Sequence, residues 1–406
     1  MHNSIIESIG IEEEWQDFLQ YKIERGNISK NEEEAFKKFI EEKEYLKIKE
    51  MIDNGEFPGE YPRKSIINKE GTLKKRIVYT FSENINIALK FIAYKLYNFD
   101  GLFEYNCYAF RRNYGVSNAL RRILRNPRLG EYYCLKADIS NYFNSIDVDE
   151  LLELMIEVNK KEPELYQLFE KILREPNVLE NGKCISEEHG AMAGIPLSPF
   201  FANIYLKDVD RYFAEKKIEY FRYSDDILIF AKDYETLCIY QKELYDILKQ
   251  KKLEINKSKE YITEPGYEWE FLGFKYINGD FDLSENTKRK IKGKIKRKAE
   301  ALRRWQRKKN LTTDKAAIGF IRAMNKKFFG YDEGDNFTWN KWFFPNLTTD
   351  AGLKEIDCYM QEYIRYAVTG RHYKGNYRIK YDTLKSWGYR NLVNEYYKYK
   401  HGGINE

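Results

Sequence analysis

Cysteine and histidine are scarce in this chain of 406 residues, with five of the first and four of the second. The cysteines (Cys107, Cys134, Cys184, Cys238, Cys358) lie far apart, none in a Cys-x-x-Cys pair and none with a histidine at zinc spacing. That excludes a disulfide framework and a structural zinc site, and it predicts reduced thiols in a cytoplasmic protein. No apolar run approaches the roughly 20 residues of a spanning helix, and the N-terminus has no apolar signal-peptide core, so no membrane partner is expected. Repeats and low-complexity linkers are also missing.

Net charge is only +5, but it is unevenly spread. The first fifty residues are acidic in blocks (Glu12 to Glu14, Glu32 to Glu34), and the segment from Lys288 to Lys309 is very basic. This asymmetry points to a polyanion bound at one place. Aromatic residues make up 16%, with 34 Tyr and 25 Phe, which suits both a core and stacking on bases and sugars. The length predicts two to four subdomains.

Amphipathic spacing predicts helices over residues 4–53, broken at Gly26 to Ser29, with Ser29 or Asn31 as an N-cap. Ser65 to Asn68 and Arg76 to Tyr79 read as a β-hairpin carrying Lys69, Lys74, Lys75 and Arg76, either a solvated basic turn or a grip on a triphosphate. Helices are expected over 84–99 and 116–124, with the basic and aromatic loop Tyr108 to Gly115 between them. Glu131 to Ile139 is a β-run that puts Cys134, Lys136 and Asp138 on one face. A carboxylate at the end of such a strand needs a partner or a metal. Asp149 is expected to cap a helix beginning at Leu151, and helical pattern runs through Leu173. The Gly190 to Pro199 loop leads into an apolar helix ending near Tyr212.

Phe221 to Phe230 reads as a hairpin with Ser224-Asp225-Asp226 at its tip. Two adjacent like charges are costly unless a cation neutralises them, and hard carboxylate oxygens point to Mg²⁺; the plain alternative is a solvated acidic turn. Next in sequence are a helix over 234–250, a turn and strand over 253–262 and a strand over 271–276. The order of elements from 131 to 276 suggests an antiparallel sheet with helices on one face, an α+β fold. A helix from Thr287 to Lys309 carries thirteen Lys or Arg against one acid, Glu300. Phe329, Trp339, Trp342, Phe343 and Phe344 are expected to form a core beyond it, before a helix over 353–366.

These segments together resemble the reverse transcriptases. Lys136-Ala137-Asp138-Ile139-Ser140-Asn141-Tyr142-Phe143 is similar to that family's first catalytic motif, and Gly194 to Leu206 to its Gly-x-Pro-x-Ser-Pro-x-x-Ala-Asn-x-Tyr-Leu motif. Tyr223-Ser224-Asp225-Asp226 is a variant of Tyr-x-Asp-Asp, and Phe271-Leu272-Gly273-Phe274 resembles the primer-grip hairpin. The resemblance, over roughly residues 60–310, implies a right-hand polymerase. Its parts would be an N-terminal helical extension (1–58), fingers (59–130), a palm (131–280, with a helical insertion at about 150–189) and a helical thumb with C-terminal helices (281–406). It implies two Mg²⁺ ions, with Mn²⁺ as a substitute, on Asp138, Ile139, Asp225 and Asp226, in two-metal nucleotidyl transfer. Lys69 and Arg76 would bind the triphosphate, Phe143 would exclude a ribose 2′-hydroxyl, and Ala193 and Gly194 would border the nucleotide. Lys259 would be a general acid. Nucleic acid would be gripped by Arg111, Arg112, Tyr223, Phe271, Gly273, Lys288, Lys292 and Arg303.

Ala193 stands where many relatives place Gln, and Asn118-Ala119 lacks the His that completes the retron signature. No zinc, endonuclease or RNase H module is visible. A compact, stand-alone polymerase with a helical tail looks like the bacterial reverse transcriptases associated with phage defence or abortive infection. The partners implied are a dedicated non-coding RNA template, deoxynucleotides and a DNA product, with a second copy or a neighbouring-gene effector as further partners. Two alternatives stand beside templated synthesis: untemplated or protein-primed synthesis at the same site, with Tyr396, Tyr397 or Tyr399 as a priming hydroxyl, and a non-catalytic RNA-binding scaffold.

Overall fold

The computed structural model describes residues 4–26, 28–68, 75–330 and 338–402. Lys69 and Lys74 lie outside the described residues. The chain divides into two compact units, Met1–Pro265 and Gly266–Glu406.

The first unit opens with α1 (Ile5–Ser8), α2 (Glu12–Glu24), α3 (Lys30–Glu41) and α4 (Glu44–Asp53). Ser29 caps α3, its side chain accepting from the Glu32 amide at 3.3 Å. Strands β1 (Arg63–Asn68) and β2 (Lys75–Thr80) pair antiparallel with Ile66 opposite Ile77, the hairpin that the sequence predicts. α5 (Glu83–Lys95) brings Phe91 under α2, where Trp15 stacks on it at 4.1 Å. α6 (Val116–Arg125) and β3 (Tyr133–Asp138) come next, then α7 (Val148–Leu154), α8 (Ile156–Lys161) and α9 (Pro163–Arg174). The cap of α7 is Asp147, which accepts from the Glu150 amide at 3.0 Å; Asp149 falls inside the first turn instead.

Strands β4 (Asn177–Glu180) and β5 (Lys183–Ser186) form a hairpin that the sequence pattern did not predict. Its turn is Asn181-Gly182, both with positive φ (+51° and +78°), the requirement of a two-residue primed turn. β4 runs parallel to β1, giving a four-stranded sheet in the order β2-β1-β4-β5. Next come α10 (Ser198–Tyr205), α11 (Lys207–Glu215), β6 (Glu219–Tyr223), β7 (Asp226–Ala231), α12 (Tyr234–Gln250) and β8 (Tyr261–Thr263). Strands β6-β7-β3-β8 make a wholly antiparallel sheet, with α12 packed on β3 and β7. This is the antiparallel α+β arrangement expected from the order of elements.

In the second unit, β9 (Trp269–Phe271), β10 (Phe274–Ile277) and β11 (Asp280–Leu283) form an antiparallel sheet. The single strand expected over 271–276 is broken because Leu272 and Gly273 both adopt positive φ (+54° and +88°) and reverse the chain. The sheet groups with the helices C-terminal to it, so the units divide after Pro265, while the palm expected from sequence runs to residue 280. α13 (Glu285–Lys308), α14 (Thr313–Phe329) and α16 (Ala351–Thr369) pack against one another, with Ile291, Ile295, Phe320 and Met360 buried and α15 (Trp339–Phe343) between the last two helices in sequence. Of the expected aromatic core, Phe344 is buried, but Trp342 is 47% exposed. α17 (Tyr381–Ser386) and α18 (Leu392–Gly402) complete the unit. Among the described residues no helix is long and apolar enough to cross a membrane.

Candidate active site

Strand register brings the distant acids together. β3 and β7 pair so that Asp138 lies directly opposite Asp226. Asp225 sits in the two-residue loop between Tyr223 and Asp226, where Ser224 takes φ +62°. The Ile139 amide donates to the Asp225 carbonyl at 3.1 Å, which stitches this loop to the end of β3. Ile139 itself is buried, so only its main chain has polar atoms to offer a ligand.

Asp138 is 5% exposed, and its charge is compensated. Lys259 Nζ ion-pairs with one carboxylate oxygen, Asn256 Nδ2 donates to the other at 3.3 Å, and the Asn256 amide holds the Asp138 carbonyl at 2.7 Å. Lys136, two residues before Asp138 and on the same face, places Nζ 3.6 Å from Asp226. Burial pushes the Asp225 carboxyl above its ordinary range, and the charges of Asp138 and Asp226 push it further. Asp226 is raised by burial too, opposed by Lys136 and Lys259 and reinforced by Asp138. The edge is thus short of positive charge even with two ammonium groups beside it. Among the described residues no three His, Cys, Asp or Glu side chains converge into a ready metal cage. The donors at this edge are nonetheless all carboxylate or carbonyl oxygens, the set that suits a hard divalent cation.

A wall of rings and one cation adjoins the acids. Asn141 (φ +45°) turns the chain out of β3 into the short helical turn Tyr142–Ser145, which carries Phe143. The Arg76 guanidinium lies 5.9 Å from the Phe143 ring, and Phe110 lies 6.4 Å from Phe143 and 6.3 Å from Tyr223. The Gly190 to Pro199 loop supports this wall from its backbone. The Ala191 amide donates to the Phe143 carbonyl at 2.8 Å, and a Cβ on Gly190 (φ +56°) would lie 2.6 Å from that oxygen. Gly194 (φ +115°) makes a similar close approach to β2, where a Cβ would lie 2.8 Å from the Tyr79 carbonyl. Ala193 is 2% exposed; its amide donates to Asn144 Oδ1 at 3.1 Å and its carbonyl accepts from Tyr79 at 2.8 Å. Its polar main-chain atoms are therefore engaged inside the protein.

Beneath the acid turn lies a buried charge that the sequence motifs do not include. Arg222, wholly buried, donates from Nε to Asp210 Oδ1 at 2.7 Å and from Nη2 to Asp210 Oδ2 at 2.5 Å. Nη1 reaches Asn203 Oδ1 (3.3 Å) and the Ser224 carbonyl (3.2 Å). Asn203 in turn donates to the Ala109 carbonyl at 2.8 Å, and Tyr220 to Asp210 at 3.1 Å. One guanidinium so joins α10, α11, β6, the 106–109 segment and the Ser224-Asp225 loop. The available signal is an Arg inside the apolar run Tyr220 to Tyr223, since a charge buried in a strand needs a partner.

Several residues expected to grip nucleic acid have other partners. Arg111 is buried, bonds the carbonyls of Glu104, Cys107 and Asp100, and stacks on Tyr114 at 3.8 Å. Arg112 stays exposed beside the ring of Tyr21. In the second unit Phe271 is fully buried, and the Gly273 carbonyl accepts from Ser284 and Thr287 at the start of α13. Lys288 and Lys292 both pair with Glu355, and Arg303 donates to the carbonyls of Ala367 and Val368. The exposed cations of α13 are others, among them Lys290, Lys296, Arg297, Arg304 and Arg307. Of the tyrosines considered as primers, Tyr396 is buried with its hydroxyl on the Leu347 carbonyl.

An antiparallel sheet thus gathers carboxylates at one end, with a cation and aromatic rings nearby. The family described as reverse transcriptase (RNA-dependent DNA polymerase) matches residues 67–276, just over half of the 406, and the chain belongs to that family. It is 30% identical over 191 residues to the group II intron-encoded protein LtrA of Lactococcus lactis subsp. cremoris, covering 46% of this chain and 31% of that protein. The chain thus spans about a third of the length of this curated relative. Among solved structures, apo telomerase from Candida tropicalis is similar at TM-score 0.48 and 11% identity, over 77% of this chain and 59% of that one. The telomerase of Candida albicans bound to a fragment of telomeric RNA is similar at TM-score 0.42 and 12% identity, over 80% and 63%.

Proposed function

We propose that this chain is an RNA-directed DNA polymerase, with Asp138 and Asp225 as its principal catalytic carboxylates and Asp226 in support. The observation that carries this reading is the β3–β7 register, which sets Asp138 against Asp226 while the Ile139 amide holds the Asp225 loop. Two Mg²⁺ ions, or Mn²⁺ in their place, supply Lewis acidity toward the primer hydroxyl and the departing pyrophosphate when bound. The chain's own groups orient the substrates. Arg76, beside Phe143, neutralises the triphosphate, with Lys69 as its companion cation. Phe143 lies under the incoming sugar, so the substrates are deoxynucleotides. Lys259, which ion-pairs with Asp138, gives a proton to the leaving pyrophosphate. The exposed cations of α13 track the backbone of the template–product duplex. The template is a dedicated non-coding RNA, copied in the cytoplasm as part of phage defence.

Asp138→Asn and Asp225→Asn are each expected to lower deoxynucleotide incorporation by at least about a thousandfold, the scale of losing a group that acts on transition-state charge. Affinity for RNA, measured by filter binding, is expected to stay within about twofold, because the α13 cations supply it. A variant that keeps full incorporation contradicts the polymerase assignment. A cellular defence phenotype that survives both substitutions supports the scaffold instead.

A further inference from the structure

Phe110 has no place in the motifs, yet it occupies the middle of the ring wall. It is a large apolar side chain left 40% exposed, so filling a core does not account for it. Its φ is +58°, a left-handed conformation that a bulky residue adopts only when its surroundings impose it. The surroundings do so from both sides. Tyr108 donates to the Arg222 carbonyl at 2.9 Å, the Ala109 carbonyl accepts from Asn203 at 2.8 Å, and the Arg112 amide is held by Asp100 at 3.2 Å. The backbone turn delivers the ring between two others, edge-on to Phe143 (68°) and tilted toward Tyr223 (49°).

Phe143 needs such a neighbour. It sits on a single helical turn, half-buried against the core, and among the described residues its ring lies near Tyr142 at 5.6 Å, Arg76 and Phe110. Excluding one hydroxyl demands placement to better than about 1 Å. Arg76 is the group assigned to the triphosphate, and Tyr142 is the chain neighbour of Phe143, its hydroxyl on the Ala202 carbonyl. Phe110 is the ring whose own backbone is tied down on both sides.

We propose that Phe110 is the positioning residue of the sugar gate: its edge fixes the Phe143 ring, and through it sets discrimination between deoxy- and ribonucleotides. This rests on Phe143 being the gate. An edge-to-face ring pair shifts a side-chain balance by about two- to tenfold, and a similar loss of discrimination is expected without it.

The test is kcat/KM of the full chain for dGTP and for rGTP on an oligo(dG)-primed poly(rC) template. Phe110→Ala is expected to lower the dGTP/rGTP ratio about two- to tenfold, chiefly by raising rGTP use, and Phe110→Tyr, which keeps the edge, is expected to restore it. Phe110→Gly removes the ring while accepting the positive φ, so it carries the test if the Ala variant folds poorly. Phe143→Ala is expected to collapse the ratio, and adding Phe110→Ala to it is expected to change nothing more. An unchanged ratio in both Phe110→Ala and Phe110→Gly, with collapse in Phe143→Ala, overturns the role of Phe110 and leaves the gate standing. A further fall in the double variant overturns it too, because Phe110 then acts without Phe143. An unchanged ratio in Phe143→Ala removes the gate itself, and the inference with it.

Discussion

Three carboxylates at one strand edge repel one another, and the chain answers with Lys259 on Asp138 and Lys136 beside Asp226. The Asp225 carboxyl is nonetheless raised above its ordinary 3.8 by burial and by the other two acids, with Lys259 opposing them. A raised acid binds its proton more tightly in the folded state, so its ionisation lowers stability once pH climbs past the unfolded value. Asp225→Asn is therefore expected to melt higher than the parent at pH 8 without divalent ions, by about 1–2 °C for each kcal/mol relieved. The advantage is expected to shrink as pH falls toward 4, where the parent carboxyl begins to take up its proton. Melting curves at the two pH values check this, and a variant that melts lower at pH 8 contradicts it. The acid pair was legible in the sequence because two adjacent Asp between β-prone runs are conspicuous. The roles of Lys136 and Phe110 were not legible, since they depend on which residue lies across a strand and on one backbone angle.

At the scale of elements, one buried ion pair, Arg222–Asp210, joins several of the segments around the site. Breaking Arg222–Asp210 by Arg222→Ala leaves a carboxylate in the core, at a cost of about 3–5 kcal/mol. Replacing both, as Asp210→Leu with Arg222→Met, is expected to recover most of that stability. Incorporation is expected to stay depressed, because the Ser224 carbonyl has lost its donor and the Asp225 loop its anchor. Urea unfolding beside a polymerase assay separates the two effects; full activity in the double variant would show that Arg222 serves packing alone. Elements themselves were legible unevenly. α12 stands at the predicted Tyr234 to Gln250 because its apolar period is unbroken. The hairpin of β4 and β5 went unpredicted although Asn181-Gly182 is a hairpin turn signal, because its strands are four residues each and lack clear alternation. Composition marks α13 as basic, but only the neighbouring helix decides that Lys288 and Lys292 pair with Glu355 while Arg297 and Arg304 face outward.

Over the whole chain, the order of the motifs carries more than any one of them. Each is a short pattern with a plain alternative, and the antiparallel sheet becomes legible because the acids, the glycine loop and the paired strands occur in one sequence of elements. That order does not contain the grouping of β9–β11 with the helices of the second unit, which arises from strand pairing and helix packing inside it. Whether the Asp138–Asp225 edge copies RNA into DNA is tested most directly by sequencing a product. The purified full chain is given a primed RNA of defined sequence, the four deoxynucleotides and Mg²⁺, with Asp225→Asn in parallel. DNA complementary to the RNA is expected from the parent, and none above background from the variant. Product whose sequence ignores the template, or product undiminished by Asp225→Asn, would contradict that assignment.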